Sequence, residues 1–264
     1  MHPRIAGLDS YGLFMVLAIG AGVLAGLPGV IRSGISAARF GVFLVITIVF
    51  GLGFAKLYFI IEQGGALTLA NLEIAAGYRY PGAVIGILMA MATFGSRLAP
   101  DISFADLVDE AAPALGTAMV VQRIGCFLNG CCFGTVSTVP WAVQFPSSSL
   151  AWVFHIHNGL LPPDALASLP VHPLELYLGL ASLAGTIFSL WYGSRKTYPG
   201  QVMLLYLAID NGGKAIFESL RFSYVRSLQL ASLGLSVGAI LILIFKAIGV
   251  RAERLAPDEK LIIS

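Results

Sequence analysis

An arginine, an asparagine and three cysteines crowd one short run, Gln122-Arg123-Ile124-Gly125-Cys126-Phe127-Leu128-Asn129-Gly130-Cys131-Cys132-Phe133-Gly134. The run continues an apolar segment that begins near Ala111, so these polar groups sit at or near membrane depth. An arginine there costs roughly 2.5–3.5 kcal/mol on insertion scales. A charge kept at that cost answers a buried anion, and the commonest anion of a membrane is a lipid phosphate. A guanidinium presents a planar fork of N–H donors that fits phosphate oxygens two at a time. Arg221, which closes Phe217-Glu218-Ser219-Leu220-Arg221, is the second such group. Two converging forks hold a phosphodiester and stabilise the charge of a phosphate leaving group. Each arginine also has a plainer reading. Arg123 can pair internally with Glu218 or Asp109, and Arg221 can snorkel at the interface.

His172-Pro173-Leu174-Glu175-Leu176-Tyr177 opens another apolar segment, with Pro173 suited to a first helical turn. His172 beside that helix start serves substrate orientation or proton transfer, or simply caps the helix. Glu175 in the first turn is also ordinary dipole chemistry. The cysteines are an odd three and give no disulfide framework. C-x4-C-C is not a zinc spacing, and His155 and His157 are not at finger spacing, so no metal is expected. Thiols in apolar surroundings are inert, whereas one beside Arg123 is activated. They read as structural, with a catalytic or redox thiol as the other possibility. Tyr11-Gly12, Lys56 with Tyr58, and Asp210-Asn211 with Lys214 are further polar groups in apolar segments. Lys56 and Lys214 are expected to pair with carboxylates such as Asp210 or Glu62. No P-loop, dinucleotide turn, HExxH or serine triad is present.

The elements that must carry these groups follow from composition. Of 264 residues, 57% are hydrophobic and 11% charged, against about 25% charged in a soluble domain. Mean hydropathy is +0.85. The chain reads as an all-α polytopic membrane protein. A net charge of +2 gives no argument for nucleic acid. Seven apolar runs approach the roughly 20 residues a crossing helix needs. They cover about 10–31, 40–61, 82–98, 111–128, 173–191, 201–220 and 228–248. The third and fourth are short or glycine-interrupted, which suits segments buried in protein or lining a cavity. No cleavable signal peptide is expected, because no basic stretch precedes the first run. Basic residues set the orientation. An outer N-terminus and cytoplasmic C-terminus put nine of the sixteen basic residues inside: Arg32, Arg39, Arg97, Arg195, Lys196, Lys246, Arg251, Arg254 and Lys260. The chain, 1–264, then forms one integral membrane domain with a periplasmic loop at about 134–171.

The run R-I-G-C-F-L-N-G-C-C-F-G resembles the signature of the bacterial prolipoprotein diacylglyceryl transferases, which usually reads G-R-I-G-N-F-I-N-G-E-x-W-G. The likeness extends along most of the chain. Ser10-Tyr11-Gly12-Leu13 resembles the family's tyrosine-glycine at the first span, and Asp109 to Pro113 its D-x-x-A-P lead-in. Trp141 to Pro146 resembles the strand-like piece after the signature, and His172-Pro173 with Leu176-Tyr177 its H-P-x-Q-L-Y-E. Glu218 to Arg221 resembles its E-x-x-R, and Gln229 with Ser232 the G-Q-x-x-S of its last span. The departures are specific. The family's S-x-H-G-G is Arg79-Tyr80-Pro81-Gly82-Ala83, so Pro81 stands where the family carries an essential histidine. Cys126 and Cys131 replace the signature's asparagine and glutamate, and Glu175 and Leu178 replace the glutamine and final glutamate of H-P-x-Q-L-Y-E.

The resemblance implies a transferase of the bacterial inner membrane. Such an enzyme moves diacylglyceryl from phosphatidylglycerol to the lipobox cysteine of a preprolipoprotein signal peptide, among membrane lipids and without a cofactor. The implied catalytic residues are Arg123 and Arg221 on the phosphate, with His172 or Tyr80 in place of the missing histidine. The implied substrate contacts are Tyr11, Asp109, Asn129, Gly134, Tyr177 and Glu218. The absent histidine leaves a second expectation open, a relative that binds anionic lipid or a signal helix with altered or no chemistry.

Overall fold

The structure, a computed structural model, describes residues 4–5, 8–62, 80–222 and 226–255. Among these, helices dominate. A two-residue antiparallel pair, β1 (Arg4–Ile5) with β2 (Leu8–Asp9), precedes α1 (Ser10–Arg32), α2 (Ala37–Glu62), α3 (Tyr80–Leu98) and α4 (Phe104–Asn129). Then come α5 (Leu150–His157), α6 (Leu174–Tyr192), α7 (Gln201–Phe217) and α8 (Arg226–Leu255). Each of the seven apolar runs falls on one of the long helices. Five stretches are long and apolar enough to cross a membrane: Ser10–Arg32, Ala37–Glu62, Phe104–Asn129, Leu174–Arg195 and Leu228–Ala252. The apolar part of α3, Gly82–Arg97, is shorter. Helix α7 has 17 residues and buries Asp210, Asn211 and Lys214. The protein is a helical membrane protein.

The chain divides into two compact units, 1–26 with 111–264, and 27–110. Each helix that runs from one unit into the other carries an internal proline near the boundary, Pro28 in α1 and Pro113 in α4. Within the 27–110 unit, α3 packs on α2 through small residues. A Cβ on Gly86 would strike the Phe50 carbonyl, and one on Gly82 would lie 2.6 Å from Tyr58 Cβ. Such close backbone approach is how apolar helices gain contact without a hydrophobic drive between them. Arg32 and Glu110 form an ion pair at 2.9 Å in the same unit.

The larger unit pairs α6 with α7 and α7 with α8. Ser182 Oγ of α6 donates to Asp210 Oδ1 of α7, and Lys214 Nζ donates to Asp210 Oδ2, each at 2.6 Å. The expected partner of Lys214 is therefore found. Helix α4 begins at Phe104, earlier than the apolar run, because its first turns are polar.

The stretch 134–171 is not plain loop. It holds α5, whose N-cap Ser149 accepts from the Trp152 amide at 3.2 Å. Eight residues are too few to register as a span, so the sequence reading missed this helix. Phe133, Phe145, Ala151 and Val171 form its small apolar core, with Phe127 and Phe222 against it. The strand-like piece after the signature survives only as isolated bridges, Val143 with Val171 and Pro146 with Ala167.

Candidate functional site

The site is assembled by the way α4 ends. Gly130 takes φ +69°, its amide donates to Phe127 O at 3.3 Å, and the Cys131 amide donates to Cys126 O at 3.1 Å. This double closure by a left-handed residue is a Schellman motif. A side chain at Gly130 would also meet Phe145 at 2.9 Å, so both φ and packing demand glycine. The chain leaves the helix through Cys132, itself left-handed at φ +63°.

It then passes between two other segments. The Gly134 amide donates to His172 O at 3.0 Å, and the His172 amide to Thr135 O at 3.0 Å. On the other side the Thr135 amide donates to Leu220 O at 2.7 Å and the Phe222 amide to Phe133 O at 3.3 Å. A Cβ on Gly134 would lie 2.6 Å from His172 Cβ and 2.9 Å from Leu220 O. The segment leaving α4, the start of α6 and the end of α7 are thus stitched together around one glycine.

This junction brings the two arginines to common neighbours. Both guanidiniums act electrostatically on Cys132 and on Glu175. Arg221 is held by Glu218, with Nε donating to Oε1 at 2.5 Å and a terminal nitrogen to Oε2 at 3.2 Å. Desolvation lowers the Arg221 guanidinium's affinity for its proton, but Glu218 and Cys132 outweigh it, and its pKa rises. Glu218 thus pairs with Arg221 and not with Arg123. Arg123 is half-buried, and its Nε is buried without a hydrogen-bond partner. It sits where Gly179 of α6 leaves room for its Cβ, 3.4 Å from a would-be Cβ.

The remaining expected residues divide. His172 Nδ1 lies 3.2 Å from the Tyr177 hydroxyl, which accepts from Trp141 Nε1 at 2.6 Å. Tyr11 stands in the first turn of α1, and the Gln122 amide of α4 donates to Cys126 Sγ at 3.2 Å. Asn129 is the half-buried last residue of α4. Asp109 is buried in the other unit. Tyr80 opens α3, but its side chain, like Arg79 before it, lies outside the described residues.

Two residues gain a place that their sequence context did not give them. Glu175 is fully buried, and neither carboxyl oxygen finds a partner on another residue. Trp141 completes the chain to His172 through Tyr177. Beside the site, a cavity of about 370 Å³ is lined by Cys131, Cys132 and Phe133 with Leu150, Phe154 and His157.

The glycine-stitched junction thus joins the segment leaving α4, the helix of Arg123, to the segment that carries Arg221. Residues 4–251 match the family described as prolipoprotein diacylglyceryl transferase, and the chain belongs to that family of transferases. A protein of Clostridium perfringens named phosphatidylglycerol–prolipoprotein diacylglyceryl transferase 2 is 26% identical over 243 residues, covering 88% of this chain and 89% of the relative. Phosphatidylglycerol–prolipoprotein diacylglyceryl transferases of Clostridium tetani and Bordetella parapertussis are 27% and 30% identical. Those alignments cover 64% and 69% of this chain, and 63% and 64% of the relatives' own length.

Proposed function

We propose that this protein transfers the diacylglyceryl group of phosphatidylglycerol to the thiol of a lipobox cysteine in a preprolipoprotein signal peptide. The observation that carries the reading is the Gly134–Arg221 bridge, which ties Arg221 to the segment leaving α4, the helix that carries Arg123. The incoming thiol loses its proton, and its sulfur attacks the glycerol carbon that bears the phosphate. A carbon–sulfur bond forms, the carbon–oxygen bond breaks, and glycerol phosphate leaves with the electron pair. A thiolate is already a strong nucleophile, so the barrier lies in positioning and in leaving-group charge.

Arg123 brings to that charge a buried N–H that no protein acceptor uses. Arg221 is oriented by Glu218, which occupies one edge of its fork and leaves N–H groups on the other. Asn129 and Gly134 belong to the lipid side of the same junction, and Tyr11 to its α1 wall. His172 takes the thiol proton, oriented by Tyr177 and through it by Trp141. Tyr80 is the alternative proton acceptor, and Asp109 a further substrate contact.

In this reading the seven long helices all cross a bacterial inner membrane as one domain. The N-terminus is then outside, the C-terminus cytoplasmic, and the α5 segment periplasmic. The count of inner basic residues supports that orientation. Release of glycerol phosphate on mixing purified protein, phosphatidylglycerol and a lipobox peptide tests the reaction, with thioether formation read by mass spectrometry. Binding of phosphatidylglycerol without release would replace it by a lipid-binding relative, the outcome that Pro81 in place of the family's histidine favours.

A further inference from the structure

Cys126, Cys131 and Cys132 are far from a zinc spacing in sequence, yet their sulfurs all lie within 4.8 Å of one another. We infer that these three thiols form a binding site for a thiophilic divalent cation of the zinc class, with the fourth coordination position open toward the adjoining cavity.

The backbone makes the cluster. The Schellman closure puts Cys131 back over the last turn that carries Cys126, and its thiol donates to Cys126 O at 3.5 Å. The left-handed φ of Cys132 turns the third side chain away from the extended path a non-glycine residue prefers. None of the three is in a disulfide. Tetrahedral zinc with bonds of about 2.3 Å to sulfur spaces its ligands about 3.8 Å apart. Contraction from within 4.8 Å asks at most about an ångström of each sulfur–sulfur separation, within the reach of side-chain rotation.

The surroundings fit an anionic metal–thiolate group. Three thiolates on a divalent cation carry one net negative charge, and binding releases three protons. Arg123 and Arg221 both act on Cys132 electrostatically. The Gln122 amide donates to Cys126 Sγ, the kind of outer hydrogen bond that holds a ligand in place. Cys131 and Cys132 line the cavity, which gives the ion an entry path, and His157 stands on the same wall. The inference rests on the cluster alone and not on the transferase reading.

The test is metal content and a cobalt titration of the reduced full-length protein in detergent. One equivalent of zinc retained after purification is expected, or one equivalent of Co²⁺ giving a thiolate charge-transfer band that Zn²⁺ abolishes. Cys132→Ser should weaken cobalt binding by about tenfold or more. Should that variant fold poorly, Cys126→Asn/Cys131→Glu restores the residues the family signature carries there and should show no band. A folded wild-type protein with three titratable thiols and no band overturns the site. So does a band that persists in the double variant, or a disulfide among these cysteines in the protein as isolated. None of these outcomes depends on diacylglyceryl transfer.

Discussion

Gly134 and Arg221 face one another across an antiparallel bridge, although they lie at the two ends of the helical segments that build the site. That pairing seats Arg221 beside the segment that leaves α4, the helix that carries Arg123. The placement of the second guanidinium is therefore a backbone matter first and a side-chain matter second.

Gly134→Ala should disrupt the junction. Its methyl would press on His172 Cβ and on two carbonyl oxygens, none of which is a flexible side-chain end. Overpacking of this kind costs about 1–3 kcal/mol. We expect a lowered thermal midpoint in detergent and weakened transfer. Gly53→Ala in α2, where an added methyl meets nothing within 4 Å, should leave the midpoint unchanged or raise it. Equal effects at the two glycines would argue against the junction.

Arg123→Ala should lower transfer by about 100- to 1000-fold, the usual loss when one donor to a developing oxyanion is removed. Arg123→Lys should keep part of the rate, since lysine restores charge but not the fork. Glycerol phosphate release is the assay. An alanine variant with full rate would remove Arg123 from the phosphate.

Tyr177→Phe leaves His172 without its ring partner and deprives Trp141 of its acceptor. A single neutral hydrogen bond is worth about 1 kcal/mol, so transfer should fall roughly fivefold. His172→Gln should lose most of the rate while phosphatidylglycerol still binds. If His172→Gln keeps its rate and Tyr80→Phe does not, the proton goes to the tyrosine.

The α5 segment should loosen in acid. His155 is fully buried, and its Nδ1 accepts from the Leu169 amide at 3.2 Å. Burial lowers its pKa below the ordinary 6.5. The unfolded segment therefore takes up a proton at a higher pH than the folded one. Stability is complete above about 6.5 and falls as pH drops through that value. Protonation would set a second N–H against the Leu169 amide. Limited proteolysis between Gly134 and Val171 should speed up in this window for the wild type but not for His155→Phe. A flat pH profile in the wild type would contradict the assignment.

The long helices were readable because apolar length is written directly in the sequence, and every apolar run fell on one. Their ends were less so, since α4 starts in polar residues that only packing can hold. Arg123, Arg221 and His172 could be picked out by residue type and family likeness. What could not be read was which acceptor each would meet. Glu218 was weighed as a partner for Arg123, and its bond to Arg221 follows from the short 3-10 turn at 218–220. Glu175 looked like ordinary first-turn chemistry, because a missing partner is a property of the whole neighbourhood. The cysteines looked scattered because sequence spacing does not reveal a left-handed backbone at Gly130 and Cys132.

The buried trio of Ser182, Asp210 and Lys214 bears on how the protein is made. Alone, α7 would offer the bilayer a carboxylate and an ammonium on a helix of 17 residues, a poor candidate for independent insertion. The ammonium and carboxylate can meet within α7, but the hydroxyl that completes the carboxylate's shell belongs to α6. On the seven-span reading, α7 enters lipid as the client of a helix synthesised before it. The two leave the insertion machinery as a hairpin, and a defect at Ser182 would surface first as a failure of biogenesis and only then as a failure of catalysis.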